Sequence, residues 1–267
     1  MSRFTGHLLT RGSRAALFGA LLLISALPFG RASAGTDDSL SVAVAANLQG
    51  AFTELASAFE KETGIVARGS FGATGKLSTQ IRQGAPFHLL LAADSDYPKA
   101  LHSDGFALLP PRPYAIGTLI VWTTRELPID DWQALLRSER VQHIAIANPD
   151  TAPYGREAAR ALQHFQLLRD VQTKLVYGES IGQTSQFIVS GAADIGFTAK
   201  SVVIAQGDAV PGQWREVAAD SYAPIVQSAV LLRYAEGHER ARAERFYAFL
   251  FSPTARAIFQ RYGYLLP

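Results

Sequence analysis

Hydrophobic positions along the chain switch repeatedly between two periods. "SLSVAVAA" (39–46) alternates as a strand does, and the residues after it place Leu48, Phe52, Leu55 and Phe59 three or four apart, the spacing of one helix face. Gly64 stands where that helix would end, and Asn47 occupies the N-cap slot at its start. The unit recurs. "GIVARGSFGA" leads into "TGKLSTQIRQGA", with Leu77 and Ile81 as the apolar stripe and Thr74 in the N-cap slot. "HLLLAAD" (88–94) predicts a buried strand and "YAIGTLIVWTT" (114–124) a single long one. "HIAIANP" (143–149) precedes a helix whose face is Ala158, Leu162, Phe165 and Leu168; Pro153 suits its first turn and brings Tyr154 to its N-terminus. After "KLVYGES", Ser180 is an N-cap, Gly191 ends the helix and "DIGFTA" is a strand. "APIVQSAVLLRY" is a late strand, followed by two terminal helices split at Pro253.

Strands alternating with helices predict an α/β fold with parallel sheets. Such folds take ligands at the carboxyl ends of strands, where helices begin. Four corners share one design: a strand, then small, hydroxyl or amide residues, then a helix. A helix N-terminus presents unpaired N–H groups and about half a positive charge, so several of them converging form an anion site with no formal cation. The corner "SFGATGKL" is not a nucleotide P-loop: Ser70 stands at the first glycine position and Leu77 where Ser or Thr is required. Its Lys76 is expected to be a solvated surface lysine. Taken singly, Asn47 or Thr74 needs no role beyond capping.

Charge and composition narrow the setting. Arg3, Arg11 and Arg14 precede the apolar run 15–27, and Ala32-Ser33-Ala34 forms a small-residue cleavage site. This is the pattern of a secretory signal, expected over 1–34, and the run is too short for a comfortable membrane span. Its removal takes four arginines and no acid, so the 25 basic residues fall to 21 against 23 acidic ones. No basic tract then remains for nucleic acid. Without cysteine there is neither disulfide nor thiolate metal site, and an exported chain of this kind suits a periplasm. An exported enzyme is the first alternative, but no G-x-S-x-G is present, and His102, His143, His164 and His238 lack metal-binding spacing. Asp94 and Asp96 are expected to cap a turn or helix and not to act as paired acids. An amino-acid binder would need a buried Arg beside an acid, and Arg156 is expected to face outward.

The segments "VAVAANL", "GATGKLSTQI", "QGAPFHLLLAAD", "IAIANPDTAPYG", "ESIGQTSQFIVSGAADIGF" and "RYGYLLP", in that order, resemble the periplasmic molybdate-binding proteins of ABC importers. The resemblance covers nearly all of the chain after the signal. It implies a type II periplasmic binding fold, with two α/β lobes joined by two crossover strands, "YAIGTLIVW" and "YAPIVQSAV". Lobe one would be 35–116 plus 223–267 and lobe two 117–222. It implies a non-enzymatic, monomeric binder of molybdate or tungstate, without cofactor or metal-ion site, that delivers to an ABC transporter membrane permease. The ligand contacts it implies are Asn47, Thr74, Tyr154 and the backbone N–H of Ile181, with Ala46 contributing backbone alone. Ala199 stands where some relatives place a ligand-contacting Tyr. The chemistry is coherent, because molybdate is a tetrahedral dianion that only accepts hydrogen bonds, and amides, hydroxyls and backbone N–H groups donate them. Neutral donors suit sulfate equally, so another tetrahedral oxyanion is the remaining alternative.

Overall fold

The computed structural model describes residues 39–207, 210–237 and 239–267. The expected signal, 1–34, lies outside the described residues. In chain order the elements are β1 (Leu40–Ala45), α1 (Gln49–Thr63), β2 (Ala67–Gly72), α2 (Thr74–Arg82), β3 (Leu89–Ala92), α3 (Asp96–Ser103), β4 (Arg112–Gly117), β5 (Leu119–Thr123) and α4 (Trp132–Arg137). There follow β6 (Ile144–Ala147), α5 (Pro153–His164), α6 (Leu168–Val171), β7 (Leu175–Gly178), α7 (Ile181–Val189), β8 (Ile195–Ala199) and α8 (Lys200–Ile204). The chain closes with β9 (Gln213–Glu216), β10 (Ile225–Leu231), α9 (Arg240–Phe249) and α10 (Pro253–Arg261).

Two five-stranded sheets result, ordered β2-β1-β3-β10-β4 and β7-β6-β8-β5-β9. Each is built on three parallel strands, β1 between β2 and β3 in one and β6 between β7 and β8 in the other. The sheets are not wholly parallel as expected. β10 runs antiparallel to β3 and β4, and β5 antiparallel to β8 and β9. The reason is topological. A parallel neighbour requires a crossover helix, whereas β4, β5, β9 and β10 carry the chain from one sheet to the other and back. The same traffic breaks the expected long strand 114–124: β4 ends at Gly117 in the first sheet and β5 begins at Leu119 in the second.

The predicted apolar faces are buried. Leu48, Phe52, Leu55 and Phe59 of the first helical unit enter the main core, where Phe59 meets Phe246 edge-on at 4.9 Å. Gly64 terminates α1 with φ 71°, the left-handed cap that glycine adopts without strain. The helix expected to carry both Phe165 and Leu168 ends earlier. Phe165 lies past the end of α5, Gln166 turns the chain at φ 55°, and Leu168 opens α6. Phe165 still packs edge-on against Trp132, at 5.2 Å. No helix among the described residues is long and apolar enough to cross a membrane.

Candidate functional site

Strand-to-helix corners from both sheets meet at one small cavity. It is lined by Ala45, Ala46 and Asn47 after β1, by Gly72, Ala73 and Thr74 after β2, and by Ala93 after β3; from the second sheet come Ala152, Pro153, Tyr154 and Ile181. All five residues singled out in the sequence are therefore brought together. The centre of a water-sized sphere can occupy about 10 Å³ of the cavity, against about 960 Å³ of a broad groove beside it. It suits a ligand of a few heavy atoms. No lining residue carries a charge.

The corners build their donors in different ways. On α2 the N-cap is Ala73, with no side-chain bond, and Thr74 is the first helical residue. This corrects the placement of Thr74 as a cap: its hydroxyl is turned into the fold, where Oγ1 accepts the Ala93 N–H at 3.0 Å. The hydroxyl proton has no acceptor among the described residues. Ala152 caps α5, and Pro153 takes the first turn as expected. The first N–H that α5 cannot pair internally is therefore that of Tyr154. A Cβ at Gly155 would run into the Ala147 carbonyl, so glycine there lets α5 start close against β6. Ser180 caps α7 as expected, its Oγ accepting from Gln183 at 3.4 Å, which leaves the Ile181 N–H as the first free donor.

Asn47 departs from expectation. A 3-10 turn, Ala46–Leu48, precedes α1, whose N-cap is Leu48 and not Asn47. The Asn47 side chain is 3% exposed, and its Nδ2 donates to Gln227 Oε1 at 3.0 Å and to Tyr264 Oη at 2.9 Å. Gln227 Nε2 donates to the Tyr154 hydroxyl at 3.3 Å, and Tyr114 Oη lies 3.2 Å from Gln227 Oε1 and 3.0 Å from the Ala92 carbonyl. Ser201 Oγ donates to the Asn47 carbonyl at 2.9 Å, and Tyr264 Oη lies 3.0 Å from Ser201 Oγ. This buried network backs the cavity and joins residues of both sheets. Burial pushes the Tyr114, Tyr154 and Tyr264 hydroxyls above the ordinary tyrosine range, so all three stay neutral. Of its members, the sequence had pointed to Asn47 and Tyr154. The available signal was the polar pair Gln227-Ser228 inside the otherwise apolar "IVQSAVL", together with Tyr264 in "RYGYLLP".

Further contacts tie the two sides around the cavity. The Gly75 N–H donates to the Thr151 carbonyl at 2.9 Å, and the Tyr97 hydroxyl donates to the Asp150 carbonyl at 2.9 Å. Lys76 Nζ is 2.7 Å from Glu179, both side chains about half exposed, so the lysine is partnered and not merely solvated. Arg156, expected to face outward, instead donates to Asp94 Oδ2 at 3.0 Å. Burial raises the Asp94 carboxyl, and the Arg156 hydrogen bond opposes that rise. Asp94 also accepts the Tyr97 N–H at 3.4 Å, the turn-capping role expected of it. Ala199, which closes β8, is fully buried and outside the cavity lining.

Residues 40–265 match the family described as bacterial extracellular solute-binding protein. The chain is 39% identical over 226 residues to the molybdate-binding protein ModA of Azotobacter vinelandii, covering 84% of this chain and 89% of that one. It is 38% identical over 247 residues to ModA of Rhodobacter capsulatus, covering 92% and 93%. Among solved structures, the Azotobacter vinelandii periplasmic molybdate-binding protein superposes with a TM-score of 0.81 at 37% identity, covering 86% of this chain and all of that one. The sulfate-binding protein SubI of Mycobacterium tuberculosis shares the fold, with a TM-score of 0.69 at 16% identity and coverage of 85% and 86%. Two α/β lobes, strands that cross between them and a small uncharged cavity at facing helix N-termini are what this matched length encodes, and the chain belongs to the bacterial extracellular solute-binding proteins.

Proposed function

We propose that this protein binds one molybdate ion, or its near-twin tungstate, and delivers it to the membrane permease of an ABC importer. The observation that carries the reading is the small cavity lined from both lobes by uncharged residues alone, the Thr74 hydroxyl among them. A dianion that only accepts hydrogen bonds is matched by the Thr74 hydroxyl and by the first N–H groups of α2, α5 and α7. Hydrogen bonds to a charged group contribute roughly 1.5–3 kcal/mol each, so several together offset the desolvation of a buried dianion. The names of the Azotobacter and Rhodobacter relatives favour molybdate over sulfate.

The ligand residues in this reading are Ala46 through its backbone, Asn47, Thr74, Tyr154 and Ile181. Lobe one is 35–116 plus 223–267 and lobe two 117–222, and the protein works as a monomer in the periplasm after loss of residues 1–34. Calorimetric titration with molybdate, tungstate, sulfate and phosphate tests the proposal. The expected result is one site per chain, with the first two bound far more tightly. Sulfate bound as tightly as molybdate would overturn the specificity, and no binding of any of the four would overturn the function.

A further inference from the structure

We infer that Gln227 is a positioning residue that turns together with Asn47 when the ligand binds, so that the two amides switch as a pair. The inference rests on the oxyanion reading above. In the arrangement described, both N–H bonds of the Asn47 amide are used by Gln227 and Tyr264. Its Oδ1 has no hydrogen-bond partner among the described residues, and Asn47 lines the cavity. An anion that only accepts hydrogen bonds cannot rest against a carbonyl oxygen. Asn47 can donate to it only with the amide reversed.

Reversing Asn47 alone is unfavourable, because its Oδ1 would then stand about 3.0 Å from Gln227 Oε1, acceptor against acceptor. Reversing both amides leaves no acceptor facing an acceptor. Gln227 Nε2 would donate to Asn47 Oδ1 and to the Tyr114 hydroxyl, which itself donates to the Ala92 carbonyl. Tyr264, whose hydroxyl donates to the Asn47 carbonyl at 3.0 Å, would turn its proton to Asn47 Oδ1 and leave that carbonyl to Ser201. Gln227 Oε1 would accept the Tyr154 proton, across the 3.3 Å contact that joins the lobes. The surrounding partners are hydroxyls, and burial keeps the three phenols neutral, so the network can run in either direction. Ligand charge on one side of Asn47 thereby sets the direction of a lobe-to-lobe hydrogen bond on the other. Gln227 is fully buried and does not line the cavity, so it acts through Asn47 and Tyr154.

The test compares molybdate affinity of the wild type, Gln227→Leu and Gln227→Glu between about pH 8 and pH 6. Leucine removes the paired turn, and about a tenfold loss, flat with pH, is expected. A carboxylate only accepts, so Gln227→Glu holds Asn47 in the non-donating direction and is expected to lose more than 100-fold at pH 8. As its buried carboxyl takes up a proton it regains a donor for Asn47 Oδ1, and affinity is expected to rise above that of the leucine variant. Relief of charge repulsion alone would stop at the leucine level, and that outcome, or wild-type affinity at pH 8, overturns the inference. Side-chain amide NMR of the wild type and Asn47→Ala needs no Gln227 variant to fold. The Gln227 amide signals should shift with Asn47 on adding molybdate and stay fixed in Asn47→Ala; a Gln227 shift that persists there overturns the pairing. Failure of the wild type to bind any oxyanion would instead remove the functional reading itself.

Discussion

Replacing Thr74 by valine separates the two jobs of one hydroxyl. Thr74 is fully buried, and its Oγ1 accepts the Ala93 N–H at 3.0 Å while its proton is free for the cavity. Valine keeps the shape and removes the oxygen. In the ligand-free protein the Ala93 N–H then loses its partner, which costs about 1–3 kcal/mol of stability. In the complex a hydrogen bond to a charged ligand is also lost, about 1.5–3 kcal/mol, or roughly 10- to 150-fold in affinity. Urea unfolding reads the first effect and molybdate titration the second. A linked measurement checks both. At ligand about 100 times the wild-type Kd, the wild type gains about 2.7 kcal/mol, whereas a variant binding 100-fold more weakly gains only about 0.4 kcal/mol. Thr74→Ser keeps the hydroxyl and should restore affinity, losing about 0.8–1 kcal/mol of stability for the missing methyl. A valine variant that binds as the wild type does, with or without a stability loss, would refute the assignment of this hydroxyl as a ligand donor.

Burial lowers the His88 pKa below 6.5, and its Nδ1 accepts the Ser41 N–H at 2.9 Å, so the fold holds the ring neutral. The unfolded chain takes the proton first as pH falls; this contribution is complete above about pH 6.5 and lost as pH drops through the folded value. Urea unfolding of His88→Asn should show a shallower stability loss than the wild type between about pH 7.5 and pH 5. Lys76→Ala removes a half-exposed ion pair with Glu179 and should cost less than about 1 kcal/mol in stability and about threefold in affinity; a loss above about 30-fold would make the lysine a direct ligand. Removing the ligand should open the lobes, seen as a larger radius of gyration in solution scattering, and coincident profiles with and without molybdate would contradict closure. Raising salt from about 50 to 500 mM should weaken molybdate binding less than about threefold, because the proposed donors are buried dipoles that mobile ions screen poorly; a loss of tenfold or more would point to exposed cations as the main counter-charge.

Much of the fold was legible because periodicity is a local property. The α1 stripe, the Gly64 and Gly191 stops, the Ser180 cap and the break before Pro253 each depend on neighbours in sequence. Long-range decisions were not legible. In "YAIGTLIVWTT" the local mark is Gly117, which ends β4; a glycine inside a strand pattern signals a bend but does not say that the halves serve different sheets. The cavity residues could be assembled because each sits at a strand-to-helix corner, a place with a recognisable chemistry. What a side chain does there was harder. Asn47 and Thr74 are residue types that cap helices, and in this fold neither does. Their side chains are taken by partners distant in sequence: Gln227 lies 180 residues from Asn47, and Ala93 is 19 from Thr74. A helix start without a side-chain cap keeps its first N–H free, as α5 does at Tyr154, and the proposed function draws on such a group.

The placement of formal charge follows from the same economy. Arg156 and Lys76 stand near the cavity, yet each meets a carboxylate, Asp94 and Glu179, and neither lines it. A guanidinium inside the cavity would attract any anion that fits, including those carrying a proton, and would need a counter-charge whenever the site was empty. Helix N-termini and hydroxyls impose no such cost: unpaired, they hydrogen-bond to water. They also point in fixed directions, so they favour a ligand whose acceptors lie where the donors aim and reject a P–O–H proton, which would face a donor. The paired cations meanwhile tie the two sides together at the margin of the cavity, Arg156 to Asp94 and Lys76 to Glu179. In the proposed function, attraction for the ligand and cohesion across the cavity thus rest on different groups, and the Asn47–Gln227–Tyr154 network joins the two.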